Sequence, residues 1–287
     1  MPSIKIHCWG GIGSQLFTLA LALDLNKRYP KRPIKFIFHT GGVTRRSLEI
    51  DFLPEKFRYE VKDDFIEIKV VKNNNKFHIR KKLIGLLRIV ALKSNFLSSS
   101  NNDAEFNKIK FWVFSIRGHY SLREISKGTA DTILNLYRDN RNLSTKKNIT
   151  KSEIALHYRL GDLYYSNIKD YIDVNLISNL IIQLCGKYKV TSIDIYSDSV
   201  TKAIDLLKEF AIPCKVNSVQ SSSFETINLL LDYKYFIGTN SKISIWVIIL
   251  RMRNNTRSVN FYPKEIEHQL QINDPYFYRA KYLSVYE

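Results

Sequence analysis

From Ile154 to Leu250 short apolar runs alternate with helical patterns, and no other feature of this 287-residue chain restricts its fold so tightly. Ile154 to Tyr158 reads as a strand, and a helix from Val174 to Lys187 follows, with Leu176, Ile177, Leu180, Ile181 and Leu184 on its apolar side. Ile193 to Tyr196 is the next strand and stops at Ser197-Asp198-Ser199, after which Val200, Ala203, Ile204, Leu207 and Phe210 recur at helical spacing. Ser222-Ser223-Phe224-Glu225 has the spacing of a capping box and opens a further helix through Leu231. Tyr235 to Ile237 is a strand, Gly238-Thr239-Asn240-Ser241 its exit loop, and Ile243 to Leu250 the next helix. Strands and helices alternating at these lengths predict an α/β fold with a parallel sheet covered on both faces.

The first half starts the same way. Ile4 to Trp9 is a strand that runs into Gly10-Gly11-Ile12-Gly13-Ser14-Gln15, and Leu16, Phe17, Ala20, Leu23 and Leu25 continue as a helix until Tyr29-Pro30. Such a strand, glycine loop and helix aim backbone N–H groups and a positive helix end at one spot, suited to phosphate; a tight turn alone also explains the glycines. Ile34 to His39 is a second strand. Phe65 to Val71 alternates like a strand, Asn73 to Asn75 is a turn, and Ser98 to Asn102 is a polar loop. Arg80 to Lys93 is an apolar helix with basic ends, either lying on an anionic membrane or buried. Phe111 to Ile116 is a strand and Ala130 to Tyr137 a helix. Arg138 to Lys151 is polar, basic and aperiodic, which divides the chain into domains 1–145 and 146–287.

Lys and Arg number 44 against 27 Asp and Glu, a formal charge of +17 that must face water or an anionic partner. Nucleic acid, an anionic membrane surface and phosphorylated small molecules all fit it. The start has no apolar run of signal-peptide type and later apolar runs are too short to span a bilayer, so a cytoplasmic protein, with contact at the inner membrane surface, is expected. Cys8, Cys185 and Cys214 are widely spaced and read as core thiols rather than a disulfide or zinc framework.

In a doubly wound sheet, ligands sit beyond the carboxyl ends of the strands. His157-Tyr158-Arg159-Leu160-Gly161-Asp162, Ser197-Asp198-Ser199 and Thr239-Asn240-Ser241 occupy that position in the second half, and the loop at 10–15 does in the first. Arg159 is the residue best suited to a diphosphate, because its planar fork gives two parallel hydrogen bonds. Two such halves across a cleft make a bilobed nucleotide-sugar enzyme.

Four motifs in order resemble those of the α-1,2-fucosyltransferases, glycosyltransferase family 11. Gly10-Gly11-Ile12-Gly13-Ser14-Gln15-Leu16-Phe17 is similar to that family's G-G-x-G-N-Q-M-F, and His157 to Leu163 to its H-x-R-R-G-D-Y. Ser197-Asp198-Ser199 matches a strand ending in S-D-D, and Asn240-Ser241-Lys242-Ile243-Ser244-Ile245-Trp246 matches N-S-x-F-S-W-W. Gly118-His119-Tyr120-Ser121 also resembles its G-Y-x-Q-S. Ser14, Leu160 and Ile245 depart from the pattern, Leu160 standing where the family has a second Arg.

The resemblance implies two Rossmann-like lobes facing a cleft (GT-B) and an inverting, metal-independent transfer of fucose from GDP-fucose, with no cofactor. No Asp-x-Asp triplet of the kind that holds a nucleotide-sugar metal occurs. It implies donor binding by Gly11, Gly13, Ser14, Gln15, His157, Arg159, Asp198, Asn240, Ser241 and Ser244. Arg159 acts on the leaving diphosphate, and Asp162 is the nearest carboxylate for a base. Leu160 keeps a different GDP-sugar donor open. The acceptor that the resemblance implies is a galactose-ended glycan of an O-antigen or capsule, and the basic surface suits one carried on a lipid diphosphate. A nucleic-acid-binding module is the contrasting class, disfavoured because the aromatics fall in apolar patterns rather than among the basic residues. A non-catalytic glycan-binding relative is a further alternative.

Overall fold

The computed structural model describes residues 3–41, 45–50, 54, 57–63, 98–99, 113–117, 120, 125–141, 152–161, 172–254, 258–263 and 283–286. The expected strand Phe65 to Val71, the turn at 73–75, the helix Arg80 to Lys93 and Asp162 lie outside these residues. The chain divides into two units, Met1–Arg123 and Glu124–Glu287.

In the first unit, β1 (Ile4–Trp9) leads through the glycine turn into α1 (Ile12–Arg28) and then β2 (Ile34–His39). β1 and β2 are parallel and in register from Ile4↔Ile34 to Trp9↔His39, the βαβ start expected from sequence. β3 (Arg58–Lys62) pairs on the outside of β2, and β5 (Ser115–Arg117) joins the other side of β1, with β4 (Ser98–Ser99) beyond it. All these pairings are parallel, in the order β3-β2-β1-β5-β4.

Three details differ from the sequence reading. Ser98–Ser99, read as loop, pairs with Ser115–Ile116. The strand expected over Phe111 to Ile116 is Ser115–Arg117, with Val113 and Phe114 irregular. Arg58–Lys62 was not expected; it is largely exposed and carries the Lys35–Glu60 ion pair at 2.7 Å, as a charged edge strand does.

The second unit contains α2 (Lys127–Arg141), β6 (Ile154–Tyr158), α3 (Val174–Tyr188), β7 (Ser192–Ser197), α4 (Val200–Lys208), β8 (Lys215–Ser218), α5 (Ser223–Leu230), β9 (Tyr235–Gly238), α6 (Lys242–Asn254), β10 (Val259–Pro263) and β11 (Leu283–Tyr286). Its six strands are parallel in the order β11-β10-β9-β6-β7-β8. Numbered from β6 as the first strand, this is 3-2-1-4-5-6 read from β8, the Rossmann order, whose direction reverses between β6 and β9.

All five residues of β6 are buried, as a strand covered on both faces must be. α6 is buried continuously from Ser244 to Arg251, so it has no polar stripe and no amphipathic signal. Ser222 and Glu225 form the capping box expected of them. α2 packs against α6 through Arg253–Asp131 (2.7 and 3.1 Å) and Arg138–Asn254 (2.6 Å). The helix that sequence placed in domain 1–145 is therefore grouped with the second unit.

Candidate functional site

The second unit's reversal point is built from β6 and β9. Thr239, fully buried just past β9, fastens the two strand ends together: its Oγ1 accepts the Arg159 N–H (2.9 Å) and donates to the His157 carbonyl (2.9 Å). Ser241 accepts the Ser244 N–H (3.0 Å), the side-chain cap of α6. Ser244, also fully buried, accepts the Thr239 N–H (3.1 Å) and the Ser241 hydroxyl (3.2 Å), which leaves its own proton for His157 Nδ1 at 2.8 Å. This orders the imidazole with its proton on Nε2. Burial, opposed by Asp198 and assisted by Arg159, lowers the His157 pKa to about 4, so the ring is neutral at pH 7.

Arg159 lies one residue beyond β6. Its Nη1 pairs with Asp198 Oδ2 at 2.7 Å, and both side chains keep partial access to solvent, 23% and 30%. Asp198 Oδ1 accepts the Leu160 N–H (3.0 Å) and the Gly161 N–H (3.1 Å). One carboxylate thus closes the turn after β6 and aims the guanidinium. Gly161 is required there: its φ is +20°, and a Cβ would collide with the Asp198 carboxylate.

The residues that sequence marked for donor binding take these places. Asp198, expected at the guanosine end, bonds the Arg159 side chain and the Leu160 and Gly161 N–H groups. Leu160 is fully buried in the apolar core with Ile172, Ile177 and Ile181, so its side chain does not line the site. Asn240, Ser241 and Ser244 do stand at the β9 exit, with Ser241 and Ser244 serving the His157 network.

In the first unit, Gly10 takes φ +89° at the exit of β1, and Gly11 caps α1. The Ser14 and Gln15 N–H groups both close on the Gly11 carbonyl, at 2.9 and 3.2 Å. Gln15 is 2% exposed and its amide is fully engaged: Nε2 donates to the Gly10 (3.1 Å) and Ser47 (2.9 Å) carbonyls, and Oε1 accepts the Glu49 (2.9 Å) and Ile50 (3.1 Å) N–H groups. A side chain with no hydrogen-bonding capacity left positions the loop rather than touching a ligand.

Sequence reasoning missed Thr239 as a fastener and the cluster at the ends of β1 and β2. There Trp9 stacks on His39 (4.3 Å, 8°), and His7 Nδ1 lies 2.8 Å from His39 Nε2. Burial, with Arg117 and other cations nearby, lowers the His7 pKa to about 3. The readable signal was three aromatic or imidazole residues, Trp9 and His39 last in adjacent strands and His7 two residues before Trp9. Among the described residues no group of three or more His, Cys, Asp or Glu could hold a metal ion, and no helix is long and apolar enough to cross a membrane.

No protein-family model matches the chain, and no curated protein does. The chain is similar to solved structures that include E. coli heptosyltransferase WaaC with ADP-2-deoxy-2-fluoro heptose, at 12% identity and TM-score 0.47, covering 99% of this chain and 92% of that one. POFUT1 in complex with GDP-fucose is 13% identical, with TM-score 0.46 and coverage of 91% and 98%. A glycosyl transferase family 9 protein from Veillonella parvula is 9% identical, with TM-score 0.43 and coverage of 91% and 80%.

Proposed function

We propose that the chain is an inverting glycosyltransferase that moves fucose from GDP-fucose to a galactose hydroxyl, in α-1,2 linkage, on a glycan such as an O-antigen or capsule unit. The observation that carries this reading is Arg159: a partly exposed guanidinium, held in place at the reversal point of a Rossmann-ordered sheet, where such sheets bind ligands. Two Rossmann-like units in one chain are the parts of a GT-B enzyme. The choice of GDP and fucose rests on the four motifs shared with the α-1,2-fucosyltransferases.

In this reading Arg159 bonds the β-phosphate, and its charge becomes more valuable as the C1–O bond breaks and the leaving oxygen turns negative. Asp198 keeps the guanidinium oriented before the donor arrives, so little reorganisation accompanies reaction. His157, neutral with its proton on Nε2, is a donor for the nucleotide that does not change charge near pH 7. Asn240 adds a polar group at the β9 exit. Gly11, Gly13 and Ser14 stand at the N-terminal end of α1 in the first unit, and the +17 charge suits an acceptor carried on a lipid diphosphate at the inner membrane face.

Calorimetric titration with GDP, UDP and CDP, followed by hydrolysis of GDP-fucose and GDP-mannose, tests the reading. It expects GDP to bind tightest and GDP-fucose to be cleaved fastest. Cleavage of GDP-mannose alone would transfer the reading to another GDP-sugar, and failure of all three nucleotides to bind would overturn it.

A further inference from the structure

The first unit holds a carboxylate that its own chain does not satisfy. Glu60 and Asp63 are held in ion pairs with Lys35 and Arg45. Glu49, which is partly exposed, makes no ion pair among the described residues, and its Oε2 is buried without any hydrogen-bond partner. A buried carboxylate oxygen left without a donor is costly, and donors brought by a ligand would offset that cost.

The local fold fixes where this carboxylate stands. The Glu49 and Ile50 N–H groups both donate to Gln15 Oε1, at 2.9 and 3.1 Å, while Gln15 Nε2 donates to the Ser47 and Gly10 carbonyls at 2.9 and 3.1 Å. Residues 47–50 are thereby tied to the glycine turn, and Glu49 Oε1 lies against Gly11, where a Cβ would stand 3.3 Å from it. The same turn follows directly on Trp9. Trp9 and His39 are register partners at the carboxyl ends of β1 and β2, where parallel sheets place ligands, and their rings stack at 4.3 Å and 8°. His7, 5% exposed, holds the His39 ring through the 2.8 Å contact of its Nδ1 with His39 Nε2. His39 thus supports the indole of Trp9, which keeps partial access to solvent.

We propose that this end of the first unit is a binding subsite for a neutral sugar ring, with Trp9 stacking on the C–H face and the Glu49 carboxylate accepting hydrogen bonds from the hydroxyls. A braced aromatic face beside a fixed acceptor suits a pyranose, whose C–H face is apolar and whose rim is made of O–H donors. A galactoside is the clearest case, because its axial 4-hydroxyl leaves the C–H bonds at C3, C4 and C5 together on one face. The choice of a galactoside rests on the transferase reading above; the subsite itself stands on residues of the first unit alone.

Saturation-transfer NMR on the full chain with methyl β-galactoside, with and without GDP, tests the subsite. Wild type should bind, with H3, H4 and H5 receiving the most saturation. Glu49→Gln keeps the side chain's shape and removes its charge, and galactoside affinity should fall about 10- to 100-fold. Trp9→Ala should weaken binding about 10-fold or more, whereas Trp9→Phe, which keeps a smaller stacking face, should stay within about fivefold of wild type. Should Trp9→Ala fail to fold, Glu49→Gln and Trp9→Phe decide the matter. Galactoside affinity of folded Glu49→Gln within about twofold of wild type overturns the proposal, as does absence of galactoside binding by wild type both with and without GDP. GDP binding without galactoside binding removes the subsite and leaves the transferase reading standing. Galactoside binding without nucleotide binding upholds the subsite and removes that reading.

Discussion

Replacing Gly161 by Ala tests the geometry of the Arg159 turn. An added Cβ would stand 2.9 Å from Asp198 Cγ and closer still to Oδ2, while Oδ1 at 3.5 Å is in ordinary contact. Asp198 must therefore rotate or withdraw, first losing Arg159 at 2.7 Å and then weakening its bonds to the Leu160 and Gly161 N–H groups. A hydrogen bond to a charged group contributes about 1.5 to 3 kcal/mol, a partly exposed ion pair under about 1 kcal/mol, and Ala at positive φ costs about 1 kcal/mol. Partial loss of these contacts gives an expected destabilisation of about 2 to 4 kcal/mol, measured as a shift in urea midpoint at constant slope. Gly186 supplies the opposite control. It lies within α3, a Cβ there meets nothing within 4 Å, and Ala should stabilise by about 0.5 to 1 kcal/mol. Gly161→Ala should also weaken GDP binding, whereas Gly186→Ala should not. A Gly161→Ala protein within about 0.5 kcal/mol of wild type would refute the claim that Asp198 fills this space.

Thr239→Val keeps the side chain's shape but removes the hydroxyl that bonds the Arg159 N–H and the His157 carbonyl, an expected loss of about 1 to 3 kcal/mol by urea denaturation that Thr239→Ser largely restores. His157 and His7 have pKa values lowered to about 4 and about 3, so the unfolded chain binds protons more readily than the folded one below pH 6.5. Their contribution is present above that pH and is lost as pH falls toward 4, by on the order of 3 kcal/mol for each. His157→Asn should flatten the pH dependence of the urea midpoint between pH 6.5 and pH 4, and an unchanged slope would contradict the assignment.

The alternation over 154–250 made the second unit legible because each buried strand and its helix carry their own pattern. Arg159, His157 and the 239–241 loop were placed at strand ends by the same pattern. Two of the strands that sequence missed have a physical reason: Arg58–Lys62 and Lys215–Ser218 are sheet edges with no buried face to impose an apolar alternation, whereas Val259–Pro263, also missed, is an inner, buried strand too short to show a period. The roles of Gln15 and Asp198 could not be read locally. Gln15 bonds residues 32 to 35 positions away, and Asp198 bonds a turn 37 to 38 positions away, so only tertiary structure shows that both position other groups. Leu160 looked like a change at the ligand because its neighbour Arg159 faces the site; its own side chain faces the core.

The central claim is that Arg159 anchors a nucleoside diphosphate, and calorimetric titration of GDP into wild type and Arg159→Ala tests it most directly. Asp198 retains two backbone donors in that variant, so the turn and the thermal midpoint should persist. The account predicts GDP binding by wild type and a loss of about 10- to 100-fold or more in Arg159→Ala, the size expected for charge-assisted bonds to phosphate. Equal GDP affinity in the two folded proteins would contradict it.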